Sequence, residues 1–492
     1  MPGEEVSAEK GNIRMADAVP ARDTASDMRR RTLASIRAAL METLFPELVS
    51  NAAQTAAQIM LRLLDHMIAD EVDTQGTPLD LELSQLWTDV TGEDASLLAD
   101  VDALEARLPA LLTGETSAST AAFLHRFAAC QQAALVRRDP EAAGGVADMY
   151  RGGKTAKAEA KAEKREEVPL LTPARLTKYL RERFPEFPAA SVASLTVLPG
   201  GFSKQTVLVT ADQAGTNSRF VIRKNLPINP TARSVVDEFP LLSAVWAAGT
   251  VPIAQPLWLE ADPAVFGAPA MAVAMMPGNG DVSTWAADPA KAARFADDLA
   301  RAMAALHALP LDNVFAGRAK GKTAQELVAA EIESWYSEWR RWRIEPRPIM
   351  EAVYAWLKAN IPAPRAPASI VHSDIGFHNL LIDDGKVTAL LDWEFSHPGD
   401  PAEDLVYARP FIEQVIDWET FLARYEAHGG QRPSPDAERF YAVWQGARNS
   451  AGCAGAQHAF LTNEGAEARL GVSGMTFLAR FELDAFQRII AA

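Results

Sequence analysis

The sequence predicts an α+β protein in which an all-helical N-terminal region precedes a β-rich segment and a large, mainly helical C-terminal one. Three observations carry this. Apolar residues recur at helical spacing through residues 27–138, short β-rich runs separated by turn residues fill 194–276, and helical spacing returns from Asp288 onward. A chain of 492 residues exceeds one typical domain, so two or three units are expected.

Residues 1–26 are charged, without an apolar run, and are expected to be disordered. Helices are then predicted over Thr32–Leu44, Ala53–Ile68, Leu81–Trp87, Leu97–Leu112 and Thr120–Leu135, the second through Ala56, Ile59, Met60, Leu63, Leu64 and Met67. This region, 27–138, holds no catalytic constellation. His66 and His125 are single histidines read as packing or surface residues, which leaves oligomerisation or protein docking as its role. Gly144-Gly145, Gly152-Gly153 and the run KTAKAEAKAEKREE mark 139–169 as a flexible linker.

A second unit begins near Leu170, where Thr172-Pro173 starts a helix leading to Tyr179 and Leu180. Leu195–Leu198 and Thr206–Val209 read as strands joined by the turn Pro199-Gly200-Gly201-Phe202-Ser203, with Lys204 at its end. Arg219–Arg223 is a further strand with Phe220 and Ile222 on one face; either Arg223 or Lys224 points inward, and Arg223 is favoured. Pro230–Ala248 reads as a helix through Val235, Val236, Leu241, Leu242 and Val245, started or kinked at Pro240. Pro256–Leu259 and Met271–Met276 are strands, and Pro277-Gly278-Asn279-Gly280 ends the pattern, dividing 170–278 from 279–492.

Beyond this break, Asp288–Leu309 is helical through Phe295, Leu299, Met303 and Leu306, with Asp288-Pro289 as start and Pro310 as stop. The block Glu326–Ile361 carries four tryptophans. Trp335, Trp339 and Trp342 recur at three- and four-residue intervals, so the first reading is a helix that buries them and leaves Arg340, Arg341 and Arg343 on a solvated face. The second is a substrate-pocket wall in which Arg340 and Arg343 grip a carboxylate or phosphate.

The richest stretch is IVHSDIGFHNLLIDDGKVTALLDWEFSHPGDPAED, from Ile370 to Asp404. Asp374 lies on a short loop after an apolar run, and Asn379 follows five residues later at the head of Leu380–Ile382. Asp384-Gly385 is a type I′ turn signal, so Leu380–Asp383 pairs with Lys386–Leu391 and returns Asp392 to the same loop mouth. Phosphoryl transfer needs a carboxylate to orient the attacking hydroxyl and take its proton, and hard oxygen ligands for Mg²⁺. Asp374 fits the first role and Asn379 with Asp392 the second. His372 reads as a structural histidine that holds the loop.

The pattern H-S-D-x-x-x-x-N followed by L-L-D-W-E resembles the catalytic and metal-binding loops of the aminoglycoside phosphotransferase and choline kinase family, relatives of the protein kinases. Ser373 departs from it, since many members carry Gly there. The resemblance implies a two-lobed protein-kinase-like fold, a small β-rich lobe over 170–278 and a large helical lobe over 279–492, with ATP and Mg²⁺ as cofactors. It implies that Gly200, Gly201, Phe202, Ser203 and Lys204 cover the phosphates, that Arg223 holds them with Glu238 as its ion-pair partner, and that Met275 and Met276 line the adenine pocket, although a plain core strand explains these two methionines equally. Asp404 matches a family motif and also reads as a structural acid near a helix start, while Glu394 reaches a second metal or the substrate. The stretch from the Gly-Gly hairpin to DWEFSHPGDPAEDL is most similar to the branch that includes the kinase domains of acyl-CoA dehydrogenase family members 10 and 11. That implies a hydroxyacyl-CoA or related acid as the alcohol acceptor. An aminoglycoside or an amino alcohol of choline or homoserine type is the alternative acceptor, and a catalytically silent nucleotide-binding module is the alternative of another class.

Composition points the same way. Lys plus Arg at 48 against Asp plus Glu at 64 gives a net charge of −16, which argues against a general nucleic-acid or anionic-membrane binder. Two distant cysteines, Cys130 and Cys453, supply neither a disulfide framework nor a zinc cluster. No stretch approaches ~18 unbroken apolar residues and the N-terminus is unlike a secretory signal, so a cytoplasmic enzyme acting on a small molecule is expected.

Overall fold

The computed structural model describes residues 32–38, 40–41, 81–114, 117–151, 170–184, 188–198, 203–213, 216–228, 233–463 and 468–491. The expected helix over Ala53–Ile68, His66, most of the expected linker, and Gly200, Gly201 and Phe202 lie outside them.

The small lobe is a five-stranded antiparallel sheet in the order β1-β2-β3-β5-β4, from β1 (Ala190–Leu198), β2 (Lys204–Gln213), β3 (Thr216–Asn225), β4 (Pro256–Glu260) and β5 (Ala270–Ala274). Strand alternation sorts its side chains. Val207, Val209, Phe220, Ile222, Ala270 and Ala272 form one core with Leu176 and Leu180, apolar residues of the helix Pro173–Arg183. On the opposite parity, Lys204 and Arg223 share the other face, and Thr206 is the register partner of Arg223. The helix Val235–Ala248 starts at a Ser234 cap whose Oγ accepts from Val236 N, and it runs through Pro240 without ending.

The large lobe opens with the helix Pro289–His307, whose Phe295, Leu299, Met303 and Leu306 are buried. The tryptophan block is two helices, Ala324–Trp342 and Pro348–Ala359, with Trp335, Trp339 and Trp342 buried. β6 (Ser369–Val371) pairs with β9 (His397–Gly399), and β7 (Leu380–Asp383) with β8 (Lys386–Leu390), Asp384 and Gly385 taking φ of 49° and 80° as the type I′ turn demands. The lobes are stitched at the break after β5. Asn279 exchanges backbone hydrogen bonds with Ile382 (3.1 and 2.9 Å), and Gly278, at φ 101°, sits where a Cβ would fall 2.7 Å from the Ile382 backbone.

The N-terminal helices Leu81–Thr91, Val101–Thr113 and Ala118–Arg138 do not form a body of their own. Trp87, Leu108, Phe123 and Phe127 share one apolar core with Trp339, Tyr354, Trp444 and Phe486 of the large lobe. The reason is shape: each helix buries one stripe, and the complementary stripes belong to Pro348–Ala359 and the C-terminal helix Leu478–Ile490. The expectation of a linker starting at 139 is also corrected. Residues 140–144 form a 3₁₀ turn and Gly145–Arg151 an α-helix, anchored where Arg480 Nε donates to the buried Asp139 carboxylate at 2.9 Å. Among the described residues no helix is long and apolar enough to cross a membrane.

Candidate active site

The loop between β6 and β7 is fixed from below. Asp404, fully buried at the start of the helix Ala402–Ile412, accepts from the backbone N of His372 (2.9 Å) and of Ser373 (2.6 Å). The His372 Nε2 donates to Leu391 O at 3.0 Å, so its Nδ1 is left to accept from Asp374 N at 3.3 Å. Burial lowers the His372 pKa, which suits this neutral tautomer. This is a histidine that holds backbone.

Ser373 stands at φ 70°, in the left-handed region that favours glycine. Its hydroxyl explains why a serine is held there. Oγ donates to Glu403 Oε1 at 2.5 Å, and the buried Arg448 guanidinium donates to both Ser373 O and Oγ. Glu403 in turn faces His397 at 3.2 Å, which lies 3.9 Å from Glu331. Burial alone would lower the His397 pKa, but the two carboxylates raise it to about 9.

Asp374 projects from this platform with its side chain only 14% exposed. Asn379 Nδ2 donates to its Oδ2 (2.6 Å) and its backbone O (3.0 Å), Tyr407 Oη donates to Oδ1, and His378 Nε2 lies 3.3 Å from Oδ1. Burial would raise its pKa; His378, Arg448 and the Tyr407 hydrogen bond outweigh it and bring it to about 2, so the carboxylate is ionised at neutral pH.

Asp392, at φ 64°, ends the returning hairpin opposite. Arg223 bridges the lobes there, donating from Nη1 to Glu238 Oε1 (2.9 Å) and from Nη2 to Asp392 Oδ1 (2.6 Å). Lys224 has the opposite strand parity and does not share these partners. Lys204 Nζ is buried against Glu394 and lies 3.7 Å from Glu238, while Ser203 Oγ donates to Glu394 at 2.5 Å. Burial raises the Glu394 pKa, with repulsion from Asp392 adding to it. Met275 is 39% exposed just past β5, and Met276 is half-buried.

The structure does not bring Arg340 and Arg343 to this site. Arg343 donates to Glu105 and, at 3.2 Å, to Glu351, and its guanidinium lies over the Trp339 ring; Arg340 lies over Tyr336, with Glu351 3.8 Å away. Arg343 thus joins the tryptophan helix to the N-terminal helix Val101–Thr113, while Arg340 stays between the two tryptophan-block helices. Conversely, Tyr407, Glu403, Arg448, His397 and Glu331 were not singled out from sequence. His378 and Glu403 could have been, since they sit inside the motif stretch; Arg448, on the helix Pro435–Thr462, carries no local signal.

The phosphotransferase enzyme family model matches residues 194–442, just over half of the chain. The chain belongs to this family. Among curated proteins it is similar to mouse acyl-CoA dehydrogenase family member 11, 28% identical over 244 residues, and to mouse acyl-CoA dehydrogenase family member 10, 26% identical over 183 residues. Those matches cover 48% and 36% of this phosphotransferase but 30% and 17% of the relatives, so the chain spans less than a third of their length. Among solved structures it is similar to a Ralstonia eutropha protein named for the aminoglycoside phosphotransferases (22% identity, TM-score 0.49, 65% of this chain and 98% of that one). It is also similar to choline kinase LicA from Streptococcus pneumoniae (17% identity, TM-score 0.44, 64% and 99%).

Proposed function

We propose that this family member moves the γ-phosphoryl group of ATP to the hydroxyl of a small molecule, a hydroxyacyl-CoA or related hydroxy acid. The observation that carries the reading is the convergence of Asp374, Asn379 and Asp392 at one loop mouth beneath the Arg223–Glu238 pair. Asp374 is positioned to accept a hydrogen bond from the attacking hydroxyl and take its proton as the oxygen–phosphorus bond forms. A carboxylate of such low basicity acts chiefly by orientation until that bond is well advanced. Arg223, Lys204 and Ser203 lie on the cleft side of the small lobe, where cationic and hydroxyl donors can meet the phosphates.

The residues present suit a divalent cation. Asn379 spends its amide nitrogen on Asp374, which leaves its carbonyl oxygen for a hard metal, and Asp392 adds a carboxylate. Glu238, Asp392 and Glu394 outnumber Lys204 and Arg223 in the cluster, a surplus of negative charge that a cation offsets. When bound, Mg²⁺ supplies charge neutralisation at the transferring phosphoryl group. The acyl thioester reading is supported by the curated relatives, whose names attach a related segment to acyl-CoA chemistry.

The test is the melting temperature with and without Mg-ATP, for wild type and Asp392→Ala, followed by phosphate transfer to hydroxyacyl-CoA, hydroxy acid, choline and aminoglycoside acceptors. A metal-dependent rise that is lost in the variant supports the nucleotide site, since a ligand that binds only the folded state must raise stability. No rise in wild type with ATP or GTP would remove the kinase reading and leave a protein with the fold alone.

A further inference from the structure

A tyrosine that precedes the family-matched residues packs against a ring that also meets the partners of Asp374. The helix Gly145–Arg151 packs against Ala402–Ile412 and Leu478–Ile490. It presents the Tyr150 ring edge-on to Phe411, with centroids 5.2 Å apart. Phe411 also meets His378 (5.6 Å) and Tyr407 (6.3 Å), the two side chains that touch Asp374 Oδ1. His378 and Tyr407 thus touch the carboxylate, and Tyr150 joins them through the shared Phe411 ring.

The hydroxyl of Tyr150 is polarised in one direction. Gln445 Nε2 donates to its Oη at 2.8 Å and Asn449 Nδ2 at 3.2 Å, from successive turns of the helix Pro435–Thr462. Both bonds use the oxygen as acceptor. Among the described residues nothing takes the hydroxyl's own hydrogen. Burial raises the Tyr150 pKa, with Asp484 and then Asp374 adding to the rise against the Gln445 hydrogen bond and Arg448, so that hydrogen is retained across the working pH range. A half-buried donor of this kind is open to an acceptor atom, and the nearby Asp374 carboxylate is where the reacting alcohol must sit.

We infer that Tyr150 belongs to the acceptor site, where its hydroxyl donates to a carbonyl or carboxylate oxygen of the phosphoryl acceptor next to the reacting alcohol. This rests on the proposed phosphotransfer reaction and deepens it in two ways. The N-terminal helical segment completes the active site of the large lobe, and the acceptor class narrows to alcohols that carry an oxygen acceptor near the hydroxyl. The amide donors of Gln445 and Asn449 on the Tyr150 oxygen leave its own hydrogen to an oxygen acceptor such as the carbonyl of a hydroxyacyl group.

The experiment is steady-state phosphate transfer to β- and γ-hydroxybutyryl-CoA by the full chain and by Tyr150→Phe, with the KM for ATP and the Mg-ATP melting shift measured on both. Phenylalanine keeps the ring against Phe411 and removes only the hydroxyl. Loss of one hydrogen bond to substrate predicts a fall of about 5- to 50-fold in kcat/KM for the acceptor. The KM for ATP and the melting shift should stay unchanged. An unchanged acceptor kcat/KM overturns the inference and leaves the reaction standing. Equal losses for acceptor and ATP also overturn it, assigning Tyr150 a merely structural role. If wild type binds Mg-ATP but transfers phosphate to neither thioester, the acceptor reading falls and takes the inference with it.

Discussion

Ser373 gives the most decisive test of how the loop is held, because two opposing effects meet at one residue. Its left-handed backbone costs a residue with a Cβ about 1–2 kcal/mol, which Ser373→Gly would relieve. Glycine also gains freedom in the unfolded chain, which costs the folded state roughly 0.5–1 kcal/mol. Against the remaining gain stand two hydrogen bonds to charged groups, Glu403 and Arg448, each contributing about 1.5–3 kcal/mol in a fully buried setting. The bonds win. Ser373→Gly should destabilise the protein by about 2–5 kcal/mol, and Ser373→Ala, which loses the same bonds and keeps the strain, by roughly 1 kcal/mol more. Differential scanning calorimetry of the three proteins should therefore rank wild type above Gly and Gly above Ala. A glycine variant as stable as wild type would refute the claim that the hydroxyl network outweighs the strain, and an alanine variant equal to glycine would refute the strain itself.

Three further outcomes follow from the same geometry. Asp374→Asn keeps the shape of the side chain but removes the proton acceptor, so kcat should fall by about 10²–10⁴-fold while the Mg-ATP melting shift survives; a variant with near-wild-type kcat would exclude Asp374 as the base. The His397 pKa of about 9 lies above the unfolded value, so its stabilisation is complete below roughly pH 6.5 and is lost as pH rises through 9, amounting to about 3 kcal/mol. Melting scans from pH 6 to 10 should show this alkaline loss in wild type and not in His397→Gln, and parallel curves would count against the Glu331–His397–Glu403 cluster. Arg343→Ala breaks the contact with Glu105 and Glu351 at a side chain 18% exposed, so the melting temperature should fall while acceptor KM holds; the reverse pattern would return Arg343 to the substrate pocket.

The parts of the site that were legible share a short span of chain. Asp374, Asn379 and Asp392 are joined by one loop and one tight hairpin, and the Asp384-Gly385 turn fixes the hairpin's register, so spacing alone brings them together. Strand parity did the same for Arg223, whose neighbours Phe220 and Ile222 announce the opposite face. Arg340 and Arg343 were open to two readings because helical periodicity says which stripe is buried but not what covers the remaining one. Here Glu105 of the N-terminal helices meets Arg343, while Arg340 stays largely exposed. The glycines at 144 and 145 read as flexible, yet one of them, Gly145 at φ 64°, supplies a turn into the helix that carries Tyr150.

Sequence by itself thus determined the convergence of Asp374, Asn379 and Asp392, since it is set by local backbone geometry that a few residue types encode. Only the tertiary structure decided what surrounds that centre. Glu403 and Tyr407 reach Asp374 or its loop from the helix Ala402–Ile412 and Arg448 from Pro435–Thr462, while Tyr150 meets Phe411 from Gly145–Arg151, and such contacts depend on how apolar stripes far apart in the chain pack into shared cores. No single segment contains that information, because each stripe fixes its own burial but not the identity of its partner.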